Sequence, residues 1–390
     1  MTTASVTHHH IVKTAADLAP DIRAAADATE RGRTVDPDLI EKLRSARLFD
    51  MVVPRDYGGL EVDVITMMRA IEEVAIADGA TGWCVAIGVG TAIVSAYLPE
   101  DVARPIFRPG VITGGPVEPA GRLTRDGDGA LRLSGRWKFA SGSPHCSWLV
   151  AGALVFDGDQ PRMLEGGMPD WRLAVVPRDG VQIIDTWSVS GLRGTGSHDI
   201  AIENAHVAEE RTIPFLTAAS AMQGALYRFP IVSFLALSIA PVVCGIARRA
   251  LDELIVLAER KTPTGAATPL RERGVAQHEV ARAEATLRAS RALLYETAAE
   301  AWDTLESGGR LTVKQRALVR LAVVHATSSA RQTVDIAYKL GGGSALYETS
   351  VLQRQLRDVY AASQHILLTD LNYETVGRVL MGLQPSSPAL

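Results

Sequence analysis

Gly135-Arg136-Trp137-Lys138-Phe139-Ala140-Ser141-Gly142-Ser143-Pro144-His145-Cys146-Ser147-Trp148 packs two Trp, a Phe, a His and several small hydroxyl residues into fourteen positions. Aromatic residues are only 5% of the chain, so their crowding here is not a matter of composition. Trp137 and Phe139 alternate with Lys138, the period of a strand. Ser141-Gly142-Ser143-Pro144 then breaks the strand with turn chemistry, and Leu149 to Phe156 resumes as an apolar run. The stretch predicts a hairpin whose bend presents hydroxyls and an imidazole beside flat aromatic surface. Such a bend suits a planar aromatic cofactor; it suits a plain sheet core with a decorated turn equally well.

Around this stretch, from about Val111 to Ile213, short apolar runs are broken by Gly114-Gly115-Pro116, Arg125-Asp126-Gly127-Asp128-Gly129 and Pro177-Arg178-Asp179-Gly180. Turn signals at such short spacing predict a β-domain. On either side the pattern is helical. Before it, Asp36-Pro37-Asp38 reads as a helix start, with Asp36 capping free N–H groups and Pro37 in the first turn. After it, Leu235 to Lys261, Gly274 to Ser307, Thr312 to Leu340 and Ala345 to Met381 read as four long helices, and Thr312 with Gln315 forms a capping box. The expected organisation is α+β: an N-terminal helical domain (1–110), a central β-domain (111–215) and a C-terminal antiparallel four-helix bundle (216–390).

A hydrophobic content of 47% and a net charge of −4 describe an ordinary globular chain without the basic excess of a nucleic-acid binder. Cys84, Cys146 and Cys244 are odd in number and far apart, which supports neither a disulfide framework nor a zinc site and fits a reducing, cytoplasmic setting. No signal peptide is expected at the N-terminus. The uncharged run Gly79 to Pro99 is long enough to span a membrane, but its glycines and hydroxyls predict a buried helix, or two short ones.

The chain lacks a GxSxG elbow, HExxH, a Walker loop and a GxGxxG opening a βαβ unit, which removes a dedicated nicotinamide-binding domain. Gly191-Leu192-Arg193-Gly194-Thr195-Gly196-Ser197-His198 reads as a tight turn, or as backbone N–H groups and an Arg approaching a cofactor. Gly341-Gly342-Gly343-Ser344, between two expected helices, leaves N–H groups at a helix start able to receive a phosphate. Arg354, Arg357, Asp358 and His365 follow on one expected helix, near a common face.

Taken in order, Pro54-Arg55-Asp56-Tyr57-Gly58-Gly59, Trp137 to Gly142, Gly191 to Ser197, and Gly341-Gly342-Gly343 with Arg354, Arg357 and Asp358 resemble the acyl-CoA dehydrogenase fold. The resemblance covers about Thr14 to Gly382. It implies a flavin held between the β-domain and the C-terminal bundle of a homotetramer. The dehydrogenases of this fold need a carboxylate base; here the position nine residues after Arg357 is Ile366, preceded by His365. Glu253 and Glu259 lie where another dehydrogenase branch carries its base.

His365 resembles the peroxide-side histidine of the class D, two-component flavin-dependent monooxygenases. That resemblance implies reduced FMN (or FADH2) supplied by a separate reductase, O2 added at flavin C4a, and oxygen transfer to an aromatic or heteroatom-containing small molecule. It implies a hydrogen bond between Ser141 and flavin N5, and packing of Trp137 and Phe139 about the ring. Gly142, Arg193, Gly194, Gly342 and Gly343 would line the cofactor, and Arg273 or Arg271 would meet its phosphate. Thr91 stands near the place where phenol hydroxylases of this group carry a substrate-side histidine, and His145 could supply an imidazole instead. The alternatives are an acyl-CoA dehydrogenase and a non-catalytic helical assembly protein that has lost flavin.

Overall fold

The computed structural model describes residues 3–126, 130–387 and 390, so Gly127-Asp128-Gly129 of the expected turn lie outside the described residues. Six helices come first: α1 (Thr3–Asp17), α2 (Ala19–Gly32), α3 (Pro37–Ser45), α4 (Val64–Ala77), α5 (Gly79–Ala92) and α6 (Glu100–Ile106). Then come β1 (Thr113–Gly114), β2 (Gly121–Arg125), β3 (Leu131–Trp137), β4 (Trp148–Asp157), β5 (Gln160–Pro161), β6 (Trp171–Pro177), β7 (Gln182–Ile184), β8 (Asp199–Val207) and β9 (Thr212–Pro214). Helices α7 (Ile231–Arg260), α8 (Gly274–Glu306), α9 (Val313–Gly341), α10 (Val351–Ala362) and α11 (Asn372–Leu380) close the chain. One continuous apolar core runs from α1 through the sheet to α10.

The capping chemistry acts where the sequence places it. Asp36 Oδ1 accepts from the N–H groups of Asp38 and Leu39 and starts α3, while Thr312 and Gln315 cap α9 reciprocally. Asp78 starts α5 in the same way, its carboxylate accepting from the N–H (2.8 Å) and hydroxyl (2.7 Å) of Thr81. The uncharged run forms α5 and a 3-10 turn, Ile93–Ala96. Residues 79–96 and 231–260 are long and apolar enough to cross a membrane, but 94% and 78% of their apolar windows are buried inside the fold, where α5 packs on α4 and α7.

The mixed sheet runs β7-β8-β3-β2-β4-β6-β9, with β1 and β5 also paired to β4. This corrects the expected hairpin: β2 lies between β3 and β4, antiparallel to the first and parallel to the second. Strand β3 ends at Trp137, and Phe139 takes a left-handed backbone (φ +63°) that turns the chain out of the sheet. Residues 138–147 then cross over β2, a span of two strand spacings of about 4.8 Å each. The paired Gly121 and Gly135 make room for the Trp137 ring, which a Cβ would approach to 2.3 Å and 2.8 Å respectively.

The expected fourth helix is broken in two. A 3-10 turn, Gly342–Ala345, precedes α10, and α10 stops at Ala362. The N–H groups of Gln364 and His365 bond three residues back, to Ala361 and Ala362, which tightens and ends the helix. The Asn372 side-chain amide then donates to the carbonyls of Ile366 (2.8 Å) and Thr369 (3.0 Å) and holds the turn closed before α11. His365 therefore sits on a compact turn, not on the helix face of Arg354, Arg357 and Asp358.

Candidate functional site

Trp83, inside α5, is where the β-domain bend meets the C-terminal turn. Its ring lies edge-on to His365, with centroids 5.6 Å apart, and its Nε1–H donates to Ser141 Oγ at 3.2 Å. The structure thus brings Ser141 and His365 onto one side chain. Ser141 is 6% exposed, and its Oγ lies 2.7 Å from Ser197 Oγ, which lies 2.6 Å from Thr195 Oγ1. Thr195 Oγ1–H donates to the Leu192 carbonyl at 2.8 Å. The bend is docked on this second loop by Gly142 N–H donating to Thr195 O (2.8 Å) and Ala140 N–H to His198 O (3.0 Å).

His365 is half-buried. The Leu367 N–H donates to its Nδ1 (3.2 Å), so the neutral ring carries its proton on Nε2. Burial, reinforced by the positive charge of Arg320, pushes its pKa down to about 4. Arg320 donates to Asn372 Oδ1 at 2.8 Å and so braces the same turn. The imidazole is a neutral N–H donor at neutral pH.

Phe139 is 64% exposed and meets Trp187 edge to face, with centroids 6.2 Å apart. Trp137 is 0% exposed, and its Nε1–H donates to the Gly152 carbonyl at 2.7 Å. Its ring is enclosed by the sheet and has no free face, so the expectation that it packs about a cofactor is corrected to a core role.

The glycines of the second loop serve close packing. A Cβ on Gly191 would lie 2.0 Å from the Arg357 carbonyl, and one on Gly194 2.3 Å from Thr29 Cγ2. Gly194 is pressed against α2, which corrects its reading as backbone open to a cofactor. Arg193 lines a small cavity with Thr29, Glu30, Asp78, Arg354 and Asp358, and among the described residues its buried Nε has no hydrogen-bond partner. Arg354 pairs with Asp27 and Glu30, and Arg357 with Glu30. Asp358 accepts from Leu192 N–H at 2.6 Å; burial, with the nearby Asp78 carboxylate, pushes its pKa up to about 7.

A second small cavity is lined by Ser141, Gly142, His145, Cys146, Cys84 and Thr113, among others. Thr91 sits behind it: its hydroxyl bonds the Ile87 and Gly88 carbonyls of its own helix and Thr113 Oγ1 at 2.9 Å. His145 Nε2 lies 3.0 Å from Thr34 Oγ1. Gly342 and Gly343 form an exposed turn beside Lys261, whose ammonium donates to the Gly341 carbonyl, and Arg273 is an exposed residue at the start of α8. Neither shares a hydrogen bond with the Ser141–Trp83–His365 group.

Burial pushes the His145 pKa down to about 4, against an unfolded value of 6.5. The unfolded chain takes up this proton first as the pH falls, so the contribution to stability is complete above pH 6.5 and lost towards pH 4. His145→Asn is expected to flatten the decline of the melting temperature between pH 7 and pH 5; an unchanged slope shows that the ring is not held neutral.

Trp83, Thr195 and Ser197 escaped the sequence-based site. Ser197 and Thr195 lay within the Gly-rich stretch already marked, but a Trp in an uncharged helix carries no signal that distinguishes it from core.

Two family models match the chain: the acyl-CoA dehydrogenase N-terminal domain over residues 5–101 and the acyl-CoA dehydrogenase C-terminal domain (type 2) over residues 237–370. The chain is 32% identical to indole-3-acetate monooxygenase of Pseudomonas putida over 93% of its own length and 91% of that protein. It is 28% identical to the oxygenase component of FADH2-dependent resorcinol hydroxylase from a Rhizobium species, over 97% and 95%. The crystal structure of 3-HSA hydroxylase from a Rhodococcus species superposes with a TM-score of 0.90 at 25% identity, covering 98% of this chain and 99% of that one. With both terminal domains matched and near-complete alignment to a monooxygenase, the chain belongs to the acyl-CoA dehydrogenase family, among its flavin-dependent monooxygenases.

Proposed function

We propose that this chain is the oxygenase component of a two-component monooxygenase that oxygenates an aromatic small molecule. The observation that carries the reading is the meeting of Ser141, from the strand bend, and His365, from the C-terminal turn, on the one side chain of Trp83. A flavin edge needs a group facing N5 and a proton donor near its reactive carbon, and a buried hydroxyl with a neutral imidazole N–H fits that set. Reduced flavin, when bound, supplies the electrons that activate O2. In this reading Ser141 holds the ring by N5, His365 donates a hydrogen bond from Nε2, and the exposed face of Phe139 covers part of the cofactor.

The finer points belong to the same proposal. Reduced FMN or FADH2 comes from a separate reductase, as the oxygenase-component relative suggests. The exposed Leu346, Tyr347, Leu371 and Met381 fit coverage by further copies in a homotetramer. The three buried, unpaired cysteines fit a cytoplasmic setting. Aromatic acids and phenols are the first substrates to try, from the names of the relatives. The dehydrogenase reading lacks its base: Ile366 is 75% exposed, Glu253 is bound to Arg249 at 2.6 Å, and Glu259 is exposed.

The test supplies pre-reduced FMN or FADH2 and 18O2 to the pure protein with indole-3-acetate or resorcinol. One 18O atom per product molecule is expected by mass spectrometry. Unlabelled or absent product across a panel of aromatics, together with flavin bleaching by a CoA thioester, sinks the reading in favour of a dehydrogenase.

A further inference from the structure

Four hydrogen bonds in a row join Trp83 Nε1, Ser141 Oγ, Ser197 Oγ, Thr195 Oγ1 and the Leu192 carbonyl, at 3.2, 2.7, 2.6 and 2.8 Å. The ends of this row have fixed chemistry. An indole N–H only donates and a carbonyl only accepts. Each hydroxyl between them has one proton. Four contacts and four protons leave a single arrangement: Thr195 donates to Leu192 O, Ser197 to Thr195, Ser141 to Ser197, and Trp83 to Ser141. Ser197 and Thr195, the inner two hydroxyls, are 3% and 1% exposed, so water does not offer them another partner.

Ser141 therefore has no proton left for a ligand, only a lone pair. We propose that Thr195 and Ser197 are positioning residues that hold Ser141 as a hydrogen-bond acceptor, so that the site prefers reduced over oxidised flavin. The inference rests on the reading that Ser141 faces flavin N5. Reduced flavin carries a hydrogen at N5 and matches the free lone pair. Oxidised flavin presents a lone pair at N5, which meets another lone pair and goes unsatisfied. A two-component oxygenase has to take up reduced flavin and release the oxidised form, and the row of hydroxyls biases both steps the same way.

Thr195→Val removes the terminal hydroxyl while keeping its shape. Ser197 is then free to turn its proton back towards Ser141, and Ser141 to turn its own towards the ligand. The measurement is the ratio of dissociation constants for oxidised and reduced FMN, titrated anaerobically without substrate. Thr195→Val is expected to lower that ratio about tenfold, the scale of one hydrogen bond. The potential of bound flavin then falls by about 30 mV, the equivalent of a tenfold change for a two-electron couple. Thr195→Ser, which restores the hydroxyl, is expected to restore the ratio. Ser197→Ala serves as the second variant if Thr195→Val does not fold, and should move the ratio in the same direction.

The controls separate the two ideas. If Ser141→Ala shifts the ratio while Thr195→Val and Ser197→Ala leave it alone, the hydroxyl row is overturned and Ser141 at N5 survives. If Ser141→Ala changes the binding of neither form, the placement of Ser141 at N5 fails, and the proposal with it.

Discussion

His365→Ala is expected to lower the rate of product oxygenation by about a hundredfold or more, the range for removal of a positioned proton donor. Reduced flavin should still be oxidised by O2 in the variant, with the missing product appearing as H2O2. Leu367 N–H occupies Nδ1, so Nε2–H is the ring's single donor, and Asn372 and Arg320 fix the turn that aims it. A pKa of about 4 keeps the ring neutral through the working range, so the rate should show no His365 titration near pH 6.5 and should change only as pH approaches 4. Single-turnover product yield with pre-reduced flavin, across pH 5 to 8, measures both points. A wild-type inflection near 6.5 that vanishes in His365→Ala contradicts the neutral-donor role.

The second large effect concerns how the domains are held in register. Arg354 is buried between α10 and α2, bonded to Asp27 and Glu30, and its charge also favours the fully buried Asp78 carboxylate. Arg354→Met leaves Glu30, among the described residues, with Arg357 and takes from Asp78 the cation that favours its charged form. Breaking a buried ion pair on one side costs about 3 kcal/mol or more, and a loss of that size is expected in urea unfolding. Because Gly191 and Leu192 rest on the same helix through Arg357 O and Asp358, the variant should also loosen the loop that carries Thr195 and Ser197. Hydrogen exchange at the Leu192 amide reads this directly. Wild-type stability and protection in Arg354→Met contradict the role.

The succession of helices, strands and helices was legible because it is written in local chemistry. Caps such as Asp36 and Thr312 act within three residues, and closely spaced Gly and Pro mark turns wherever they fall. The hairpin reading of 135–148 failed because strand pairing is non-local: nothing inside that stretch records that β2, ten residues upstream of β3 at its start, will lie between its two arms. The break after Ala362 was hidden for a related reason. No Gly or Pro marks it, and Asn372, which stabilises the turn, follows after ten positions. At the site, Ser141 and His365 stood out through the family resemblance of the motifs around them, whereas Trp83 acquires meaning only once the strand bend and the C-terminal turn rest on it. Trp137, the most conspicuous residue of the opening stretch, turned out to fill the sheet.

Two thiols stand on the wall of the cavity beside Ser141, and their state bears on how long the protein can work. Cys84 donates its S–H to the Thr195 carbonyl and Cys146 to that of Gly142. Burial raises both pKa values, Cys146 to about 12, so the thiolate is almost absent at neutral pH. Peroxide attacks the thiolate and not the thiol. Under the proposed function, in which a failed turnover releases H2O2, these two cavity-wall sulfurs stay in their inert form.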